Sequence, residues 1–403
     1  MAEGITRIAV EGFKSIARRQ EIEIAPLTIL AGANSSGKSS IMQPLLMLKQ
    51  TLEATYDPGP LKLDGPNVTF SSSEQFLSKG DPRLPSVLRM EVGAEGFGLE
   101  ITFAKRQGLV VQDETFSVLG ERITLRPEMS HQELVQAVNE PWKGIGDQLS
   151  LIQHRFLLVI ANETSPPTTV YPVPDIQGVI HVPALRGNPT RAYPAAGSGP
   201  SFPGLFHHYV ASTILGWQKE NSRRYEDLVL DLQSTDLALD MFAHRVNDVA
   251  IEIRVNLVKS RTDNIADVGV GVSQVLPVLV ALRAAEPGRL VYLEEPEIHL
   301  HPRAQTKLAG ILAGAAKRGV RVVAETHSSL LLRAIQTLVA KGDLDPDLVR
   351  LHWFSRDTEG VTQVSSAKPD ANGAFGDWPE DFGDVALESE QKYLDAVEDR
   401  VTH

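Results

Sequence analysis

Apolar and polar positions near the start of the chain follow strand patterns first and a helical pattern afterwards. Residues 5–10 and 21–24 alternate in short runs, which predicts two strands. Residues 26–32 form a more continuous apolar run that leads into a loop rich in Gly and Ser. Residues 40–52 have helical composition, although Pro44 conflicts with an unbroken helix. A strand that feeds a glycine loop and then a helix is the layout of a phosphate-binding site.

Further along the chain, the spacing of apolar residues changes again. Short alternating segments between Ser86 and Arg126 predict a small antiparallel sheet. Proline and glycine interruptions later exclude a long coiled coil, and from Val268 onward helices alternate with buried strands, which predicts a parallel or mixed sheet. We expect an N-terminal lobe, a mainly helical inserted subdomain, a C-terminal lobe and an acidic tail, with the respective bounds 1–130, 131–262, 263–356 and 357–403.

Composition narrows the class of protein. The chain has 403 residues, no cysteine, and 39 Lys and Arg against 51 Asp and Glu, for a net charge of −12. A disulfide scaffold is excluded, and broad, sequence-independent binding to nucleic acid is disfavoured, although a local basic stripe is compatible with this balance. The segment 369–403 carries ten acidic residues and is typical of a solvated surface. Without a recognisable secretory signal or spanning segment, we expect a cytoplasmic protein with no membrane partner.

The glycine loop matches a phosphate-binding motif at every position. Residues 32–39 read Gly-Ala-Asn-Ser-Ser-Gly-Lys-Ser, which fits G-x-x-x-x-G-K-[ST]. The glycines allow backbone amides to point inward, Lys38 is suited to reach the β- and γ-phosphates, and Ser39 offers a hydroxyl to Mg²⁺. The residues predicted to bind the nucleotide are Gly32, Asn34, Ser36, Gly37, Lys38, Ser39 and Ser40.

Polar residues at the ends of two later strands complete the predicted chemistry. Glu294 and Glu295 end an apolar strand, where open α/β sheets place their ligand sites. Because side chains alternate along a strand, the two carboxylates face different directions. We expect Glu294 to hold Mg²⁺ together with Ser39, and Glu295 to polarise the attacking water. His327 follows the next buried strand and is predicted to hydrogen-bond the γ-phosphate.

Together these motifs resemble the ABC-type ATPase heads of the SMC, RecF and OLD branch. The resemblance rests on the phosphate loop, on the block Glu-Glu-Pro-Glu-Ile-His-Leu-His-Pro at 294–302, and on Thr-His-Ser at 326–328. It implies an α/β fold with a mixed sheet flanked by helices, an antiparallel β subdomain and an inserted helical subdomain. It also implies that Glu294 is the Walker B acid, Glu295 the catalytic base, His327 the switch histidine and 297–302 the D-loop at the dimer contact.

The resemblance further implies a signature motif shortly before the Walker B strand. Gly269, Gly271 and Ser273 lie there, although Gly269 stands where the family has a serine. We expect this glycine-rich helix start to bind the γ-phosphate held by a partner head, with Ser273 as the candidate hydroxyl. A simple turn at the start of a helix is the alternative.

Three segments, 11–15, 181–193 and 377–382, look like those of a bacterial AAA/ABC-type ATPase subfamily with a short C-terminal tail. Arg186 and Arg191, in the second segment, either reach phosphates or a partner or belong to a surface loop. His299 and His301 have a spacing that permits zinc ligation, but the D-loop assignment accounts for both. The chain after His327 is too short for the Toprim domain of OLD nucleases, so we expect no nuclease here.

These features predict an ATPase that uses ATP and Mg²⁺ and forms a homodimer when ATP joins two heads, which makes it a ligand-controlled switch. Three outputs stay open: gating of a separate effector, such as a nuclease, in bacterial anti-phage defence; RecF-like binding of DNA during maintenance or repair; and nucleotide-dependent interaction with little turnover. An intact Glu295 argues against the third. The irregular signature and the widely separated lobes argue against a transporter ATPase.

Overall fold

The computed structural model describes residues 4–79, 86–139, 149–162, 172–197, 199, 201–376 and 391. Within them the strands are β1 Arg7–Glu11, β2 Gln20–Glu23, β3 Leu27–Gly32, β4 Val87–Ala94, β5 Phe97–Lys105, β6 Leu109–Val118, β7 Glu121–Leu125, β8 Leu149–His154, β9 Leu157–Asn162, β10 Ile180–Val182, β11 Tyr193–Pro194, β12 Asp240–Asn247, β13 Ala250–Val258, β14 Arg261–Asn264, β15 Leu290–Glu294, β16 Arg321–Glu325, β17 Val349–Arg356 and β18 Thr362–Ala367. The α-helices are α1 Lys38–Leu52, α2 His131–Asn139, α3 Val173–Gly178, α4 Val210–Lys219, α5 Arg223–Ser234, α6 Val270–Ala284, α7 Pro302–Lys317 and α8 Ser329–Ala340.

The central sheet has the order β10-β15-β16-β3-β17-β18. Its strands from β10 to β17 run parallel, and β18 is antiparallel to β17, so the mixed sheet predicted from the sequence is confirmed. β3 is buried at every position, as is typical of a sheet covered on both faces. In register, Glu294 pairs with Glu325, and Glu325 pairs with Leu30. The carboxyl ends of β3, β15 and β16 therefore meet at one edge.

A second sheet has the order β2-β1-β4-β5-β6-β7, with every neighbouring pair antiparallel. The predicted antiparallel strands are thus extended by β1 and β2. The inward side chains of this sheet and most of α1 share one buried cluster, which includes Ile8, Met90 and Leu45. α1 continues through Pro44. Burial along almost the whole helix offsets the one backbone hydrogen bond that a proline removes.

The inserted segment contains strands as well as helices, which corrects the expectation of a mainly helical subdomain. α2, β8 and β9 pack into the cluster of the antiparallel sheet, whereas α4, α5, β12 and β13 pack with α6. A third sheet joins β11, β12 and β14 to β13. Ile251, Ile253 and Val255 alternate along β13 and are buried, which is a strand pattern and not a helical one.

The central sheet extends into the segment predicted as an acidic tail. β18 pairs along its length with β17, so residues 362–367 form an edge strand of the sheet. Most acidic residues of this predicted tail lie outside the described residues, in the ranges 377–390 and 392–403. The third subfamily segment, 377–382, lies there too. No helix in the described ranges is long and apolar enough to cross a membrane.

Candidate active site

The phosphate loop runs from the end of β3 to the start of α1 with a backbone that two glycines permit. Gly32 and Gly37 have φ angles of 143° and 112°, a region that L side chains rarely adopt. A Cβ on Gly37 would lie 2.5 Å from Thr362 Oγ1. The Thr362 hydroxyl donates to the Ser36 carbonyl at 2.8 Å, so β18 supports the back of the loop. The strand, loop and helix predicted around this motif are present.

Lys38 is buried and turned back onto its own loop. Its Nζ donates to the carbonyls of Gly32 at 3.1 Å and Ala33 at 3.0 Å. Burial lowers the pKa of Lys38, and the charges of Glu325 and Glu295 oppose this shift. The charges of Glu325 and Glu295 therefore act on this ammonium group.

Ser39 contacts a glutamate for which the sequence indicated no role. Its hydroxyl donates to Glu325 Oε1 at 2.9 Å, and the buried Tyr292 hydroxyl donates to Glu325 Oε2, also at 2.9 Å. Burial raises the pKa of Glu325, while the hydrogen bonds from Ser39 and Tyr292 act in the opposite direction. Glu325 reaches Ser39 because β16 lies between β3 and β15 in the sheet.

Glu294 is held by the segment that follows β10. His181 Nε2 lies 3.1 Å from Glu294 Oε1, and the Ala184 backbone N–H donates to Oε2 at 3.2 Å. The His181 ring stacks on Tyr292 with 5.3 Å between centroids, and its Nδ1 lies 3.1 Å from Asn67 Oδ1. Burial tends to raise the pKa of Glu294, but the hydrogen bond and charge of His181 and the Ala184 amide outweigh it, so the pKa lies below its ordinary value. His181 is thus a further site residue that motif spacing did not reveal.

Glu295 begins a strained turn directly after β15. Its φ angle is 42°, a left-handed conformation that is uncommon for a residue with a long side chain. Its backbone N–H donates to the Glu325 carbonyl at 2.8 Å. Arg186 Nη2 donates to the carbonyls of Glu294 at 2.7 Å and Glu295 at 3.0 Å. Two neighbouring segments therefore hold the backbone of Glu295 in this conformation.

Arg186 is buried and supports the backbone of the Glu295 turn. The residue is 7% exposed, so it does not belong to a surface loop. All the hydrogen-bond acceptors of Arg186 are backbone carbonyls. The third acceptor is the Gln274 carbonyl on α6, which lies 3.1 Å from Nη1. Burial lowers the pKa of Arg186 to about 10, against the opposing charges of Glu297, Glu294 and Glu295. Arg191, in contrast, is exposed and pairs with Asp267 at 2.6 Å.

The residues after β16 are tied to the D-loop segment. The buried Glu297 accepts hydrogen bonds from the Thr326 hydroxyl and, at 3.2 Å, from the His327 backbone N–H, both at Oε1. Partial burial and then the charge of Lys38 lower the pKa of His327, whereas Glu295 raises it. His327, Lys38 and Glu295 are therefore close enough to act on one another electrostatically.

The signature-like residues lie at the start of α6. Gly269 precedes the helix, and the mostly buried Ser273 donates from Oγ to the Val270 carbonyl at 2.9 Å. A Cβ on Gly271 would lie 3.4 Å from the His299 carbonyl, so this helix start packs against the D-loop segment. Two of the predicted interface motifs are thus neighbours within one head.

His301 of the D-loop segment has a structural role at the start of a helix. His301 Nδ1 accepts from the Arg303 backbone N–H at 3.4 Å and caps α7. Across the residues that the structure describes, no group of three or more His, Cys, Asp or Glu side chains is arranged to hold a metal ion.

The donor set at this edge fits a magnesium nucleotide. The Ser36 hydroxyl is buried and lacks a hydrogen-bond partner among the described residues, Asn34 is exposed and Ser40 is buried. An unpaired buried hydroxyl within a glycine loop suits a phosphate oxygen. The oxygens of Ser39 and of the nearby glutamates suit Mg²⁺, which is commonly bound by one or two carboxylates together with substrate phosphates.

A known protein family matches most of the chain. Residues 27–333 match the AAA_21 family, described as "AAA domain, putative AbiEii toxin, Type IV TA system". The chain belongs to the AAA_21 family. The matched range includes the phosphate loop, the Glu294–Glu295 pair and His327. For this AAA_21 protein the predicted likeness to SMC heads is confirmed at the level of the fold.

Solved structures with similar folds include several SMC heads. The SMC head bound to the C-winged helix domain of ScpA is 15% identical, with a TM-score of 0.52 over 91% of the AAA_21 chain and 98% of that chain. A Pyrococcus furiosus SMC head with an extended coiled coil, bound to the C-terminal domain of ScpA, is 13% identical, with a TM-score of 0.49 over 98% and 99% of the two chains. The Thermotoga maritima SMC head domain is 14% identical, with a TM-score of 0.42 over 90% and 98%. The first likeness supports the fold. The comparison with curated proteins found no match.

Proposed function

We propose that the chain is a Mg²⁺-dependent ATPase in which ATP joins two copies of the head. The carrying observation is that Lys38, Ser39, Glu295 and His327, from three separate motifs, converge at the carboxyl edge of the central sheet. Glu295 acts electrostatically on both Lys38 and His327, and the Ser39 hydroxyl lies in the same carboxylate cluster. A phosphate loop facing acidic strand ends is the arrangement that phosphoryl transfer to water requires.

Each side chain would have one task in this reaction. The loop amides and Lys38 would hold the phosphates, while Ser39 and Glu294 would hold Mg²⁺. The bound metal supplies charge that neutralises the developing negative charge of the phosphoryl group. Glu295 would orient the attacking water and accept its proton. The lowered pKa of His327 leaves the imidazole neutral near pH 7, with one N–H to donate to a γ-phosphate oxygen.

The exposed apolar side chains near the motifs support association with a second copy. Leu185 is 89% exposed and directly follows Ala184, which binds Glu294. Val270 is 52% exposed and lies between the signature glycines, and Leu330 is 39% exposed at the start of α8, after His327. A head that presents apolar residues around its nucleotide edge suits a partner that carries the same edge. In such a dimer Gly269, Gly271 and Ser273 would contact the nucleotide of the other head.

The output that we favour is control of a separate effector in anti-phage defence. The family description names a toxin of a type IV toxin–antitoxin system, which supports a defence role. The similar SMC head was solved with a domain of ScpA bound to it, so a separate protein partner is a reasonable expectation here. RecF-like DNA binding is the alternative, and the net charge of −12 gives it little support. DNA affinity that falls steeply with salt would favour that alternative.

Static light scattering and an ATPase assay on three variants test the proposal. Glu295→Gln should lower turnover by about 10²- to 10⁴-fold and convert the protein to a dimer with ATP, because bound ATP is no longer consumed. Lys38→Ala should weaken ATP binding by roughly tenfold or more, since it removes a charged donor. The exposed Glu121→Gln, on β7, serves as the control. Unchanged turnover in Glu295→Gln, or undiminished binding in Lys38→Ala, would contradict the proposal.

A further inference from the structure

The Ser39 hydroxyl directs its hydrogen to a carboxylate outside the motifs. Ser39 donates to Glu325 Oε1 at 2.9 Å. A hydroxyl has one hydrogen and two lone pairs, so this hydrogen bond leaves the Ser39 lone pairs available to a cation. The residue that accepts the hydrogen consequently decides how the serine oxygen is oriented.

Glu325 also lies beside Glu294 in the central sheet. The Tyr292 hydroxyl donates to Glu325 Oε2 at 2.9 Å, and it also lowers the pKa of the Glu294 carboxyl. Tyr292 is fully buried, and Glu294 and Glu325 are register partners on adjacent parallel strands. Besides burial, the negative charge of Glu294 raises the pKa of Glu325, so the two carboxylates repel each other, and a divalent cation beside them relieves that repulsion.

We propose that Glu325 is a second acidic residue of the magnesium site, where it orients the Ser39 hydroxyl and adds its charge to that of Glu294. This inference rests on the proposed ATPase function. Glu325 is a positioning residue in this role, since it acts through Ser39. Burial of a carboxylate at 6% exposure is costly unless it is paired, and the groups that pair with Glu325 are Ser39, Tyr292 and the nearby Lys38.

Electron paramagnetic resonance can measure the affinity of the metal site for Mn²⁺. A non-hydrolysable ATP analogue fills the nucleotide site, so no turnover occurs. In Glu325→Gln we expect the Kd for Mn²⁺ to rise by about 10- to 100-fold, the usual effect of removing a group that supports a metal ligand. Binding of the analogue in EDTA should stay within about twofold, because Lys38 and the loop amides are untouched. Glu114→Gln, at another buried glutamate on β6, is the matched control and should keep the Mn²⁺ affinity of the wild type.

Two further variants sharpen the test. Glu325→Asp keeps the charge but withdraws the carboxylate from Ser39, so it should also weaken Mn²⁺ binding. This variant replaces Glu325→Gln in the test if Glu325→Gln does not fold. Combined with Ser39→Ala, Glu325→Gln should weaken Mn²⁺ binding by less than the product of the two single effects, because the residues act together. A full product, or wild-type Mn²⁺ affinity in both Glu325 variants, would overturn this inference and leave the ATPase proposal standing. A wild-type protein that binds no nucleotide would instead remove the proposed function.

Discussion

At the scale of single residues, Arg186 holds both carbonyls of the Glu295 turn. A left-handed non-glycine residue costs about 1–3 kcal/mol, whereas each hydrogen bond from a charged donor contributes about 1.5–3 kcal/mol. Arg186 donates to both carbonyls of the turn and to Gln274 of α6, and Gln274 Nε2 donates back to the Gly187 carbonyl at 2.8 Å. These bonds outweigh the strain and join the signature-like helix to the residue predicted as catalytic base.

Arg186→Lys should therefore separate hydrolysis from nucleotide binding. Lysine keeps the charge but lacks the planar fork that reaches three carbonyls at once. We expect the Glu295 carboxylate to shift and kcat to fall about a hundredfold, the effect of a displacement of about 1 Å at a reacting group. The Kd for ATP should stay within about threefold because the phosphate loop is intact. Steady-state kinetics with fluorescence titration measures both quantities. Equal losses in the exposed control Arg191→Lys, or an unchanged kcat in Arg186→Lys, would contradict this role.

The sequence predicts the site residues that lie within local motifs, but not those that support them from distant positions in the chain. Lys38 and Ser39 adjoin a glycine loop, and Glu295 follows an apolar strand, so spacing alone indicates their chemistry. Glu325 meets Ser39 across 286 positions, and Arg186 meets Gln274 across 88. Such contacts depend on strand order, which the local pattern of one sequence does not contain. The contacts of His181, Arg186 and Glu325 are therefore visible only in the folded chain.

At the scale of elements, one buried carboxyl links the antiparallel sheet to the β8–β9 hairpin. Glu114 on β6 is 0% exposed, and its Oε2 accepts from the Leu158 backbone N–H of β9. Its Oε1 lacks a hydrogen-bond partner among the described residues. Burial raises the pKa of Glu114 well above its ordinary value of 4.5. The acid is thus accommodated in its neutral form, and its ionisation opposes the packing of the hairpin.

The stability of this junction should depend on pH. The pKa of Glu114 is higher in the folded protein than in the unfolded chain, where it is about 4.5. The contribution of the neutral acid to the free energy of unfolding is therefore complete below pH 4.5 and is lost as the pH rises through the folded pKa. Glu114→Gln cannot ionise, so its melting temperature should match the wild type at pH 4 and exceed it by about 3 °C at pH 8. Calorimetry across that range measures the difference, with the exposed Glu121→Gln as control. If the melting temperatures of Glu114→Gln and the wild type change equally with pH, ionisation of Glu114 does not cause the pH dependence.

Strands that are buried on both faces were predictable from the sequence. Strands that have one buried and one exposed face were less predictable. The continuous apolar runs of β3, β15 and β16 indicate a covered parallel sheet, which is what forms. β12 and β13 lie between helices in the insert, and their alternation is weakened by exposed apolar residues such as Val246 and Leu257. Their strand conformation depends on packing against α4 and α5, which local patterns do not encode.

At the scale of the whole molecule, the nucleotide edge brings charge and exposed apolar surface together. Lys38, Glu294, Glu295 and Glu325 converge there, whereas Leu185 beside them is 89% exposed. An exposed leucine next to this candidate site has little to contribute to a lone head. In a dimer, the same side chain would be buried against the second copy together with Val270 and Leu330.

Leu185→Asp should consequently weaken dimer formation without affecting the nucleotide site. Burying a leucine contributes about 1.5–3 kcal/mol, so losing it should raise the dimer Kd roughly 10- to 100-fold. The measurement is light scattering with ATP in a Glu295→Gln background, in which we expect the dimer to accumulate. Leu119→Asp is the matched control, because Leu119 is 80% exposed in the β6–β7 turn of the other sheet. ATP binding should stay within about twofold in both variants, since neither side chain belongs to the phosphate loop. If Leu119→Asp weakens the dimer as much as Leu185→Asp does, or if Leu185→Asp leaves it intact, the heads associate through another surface.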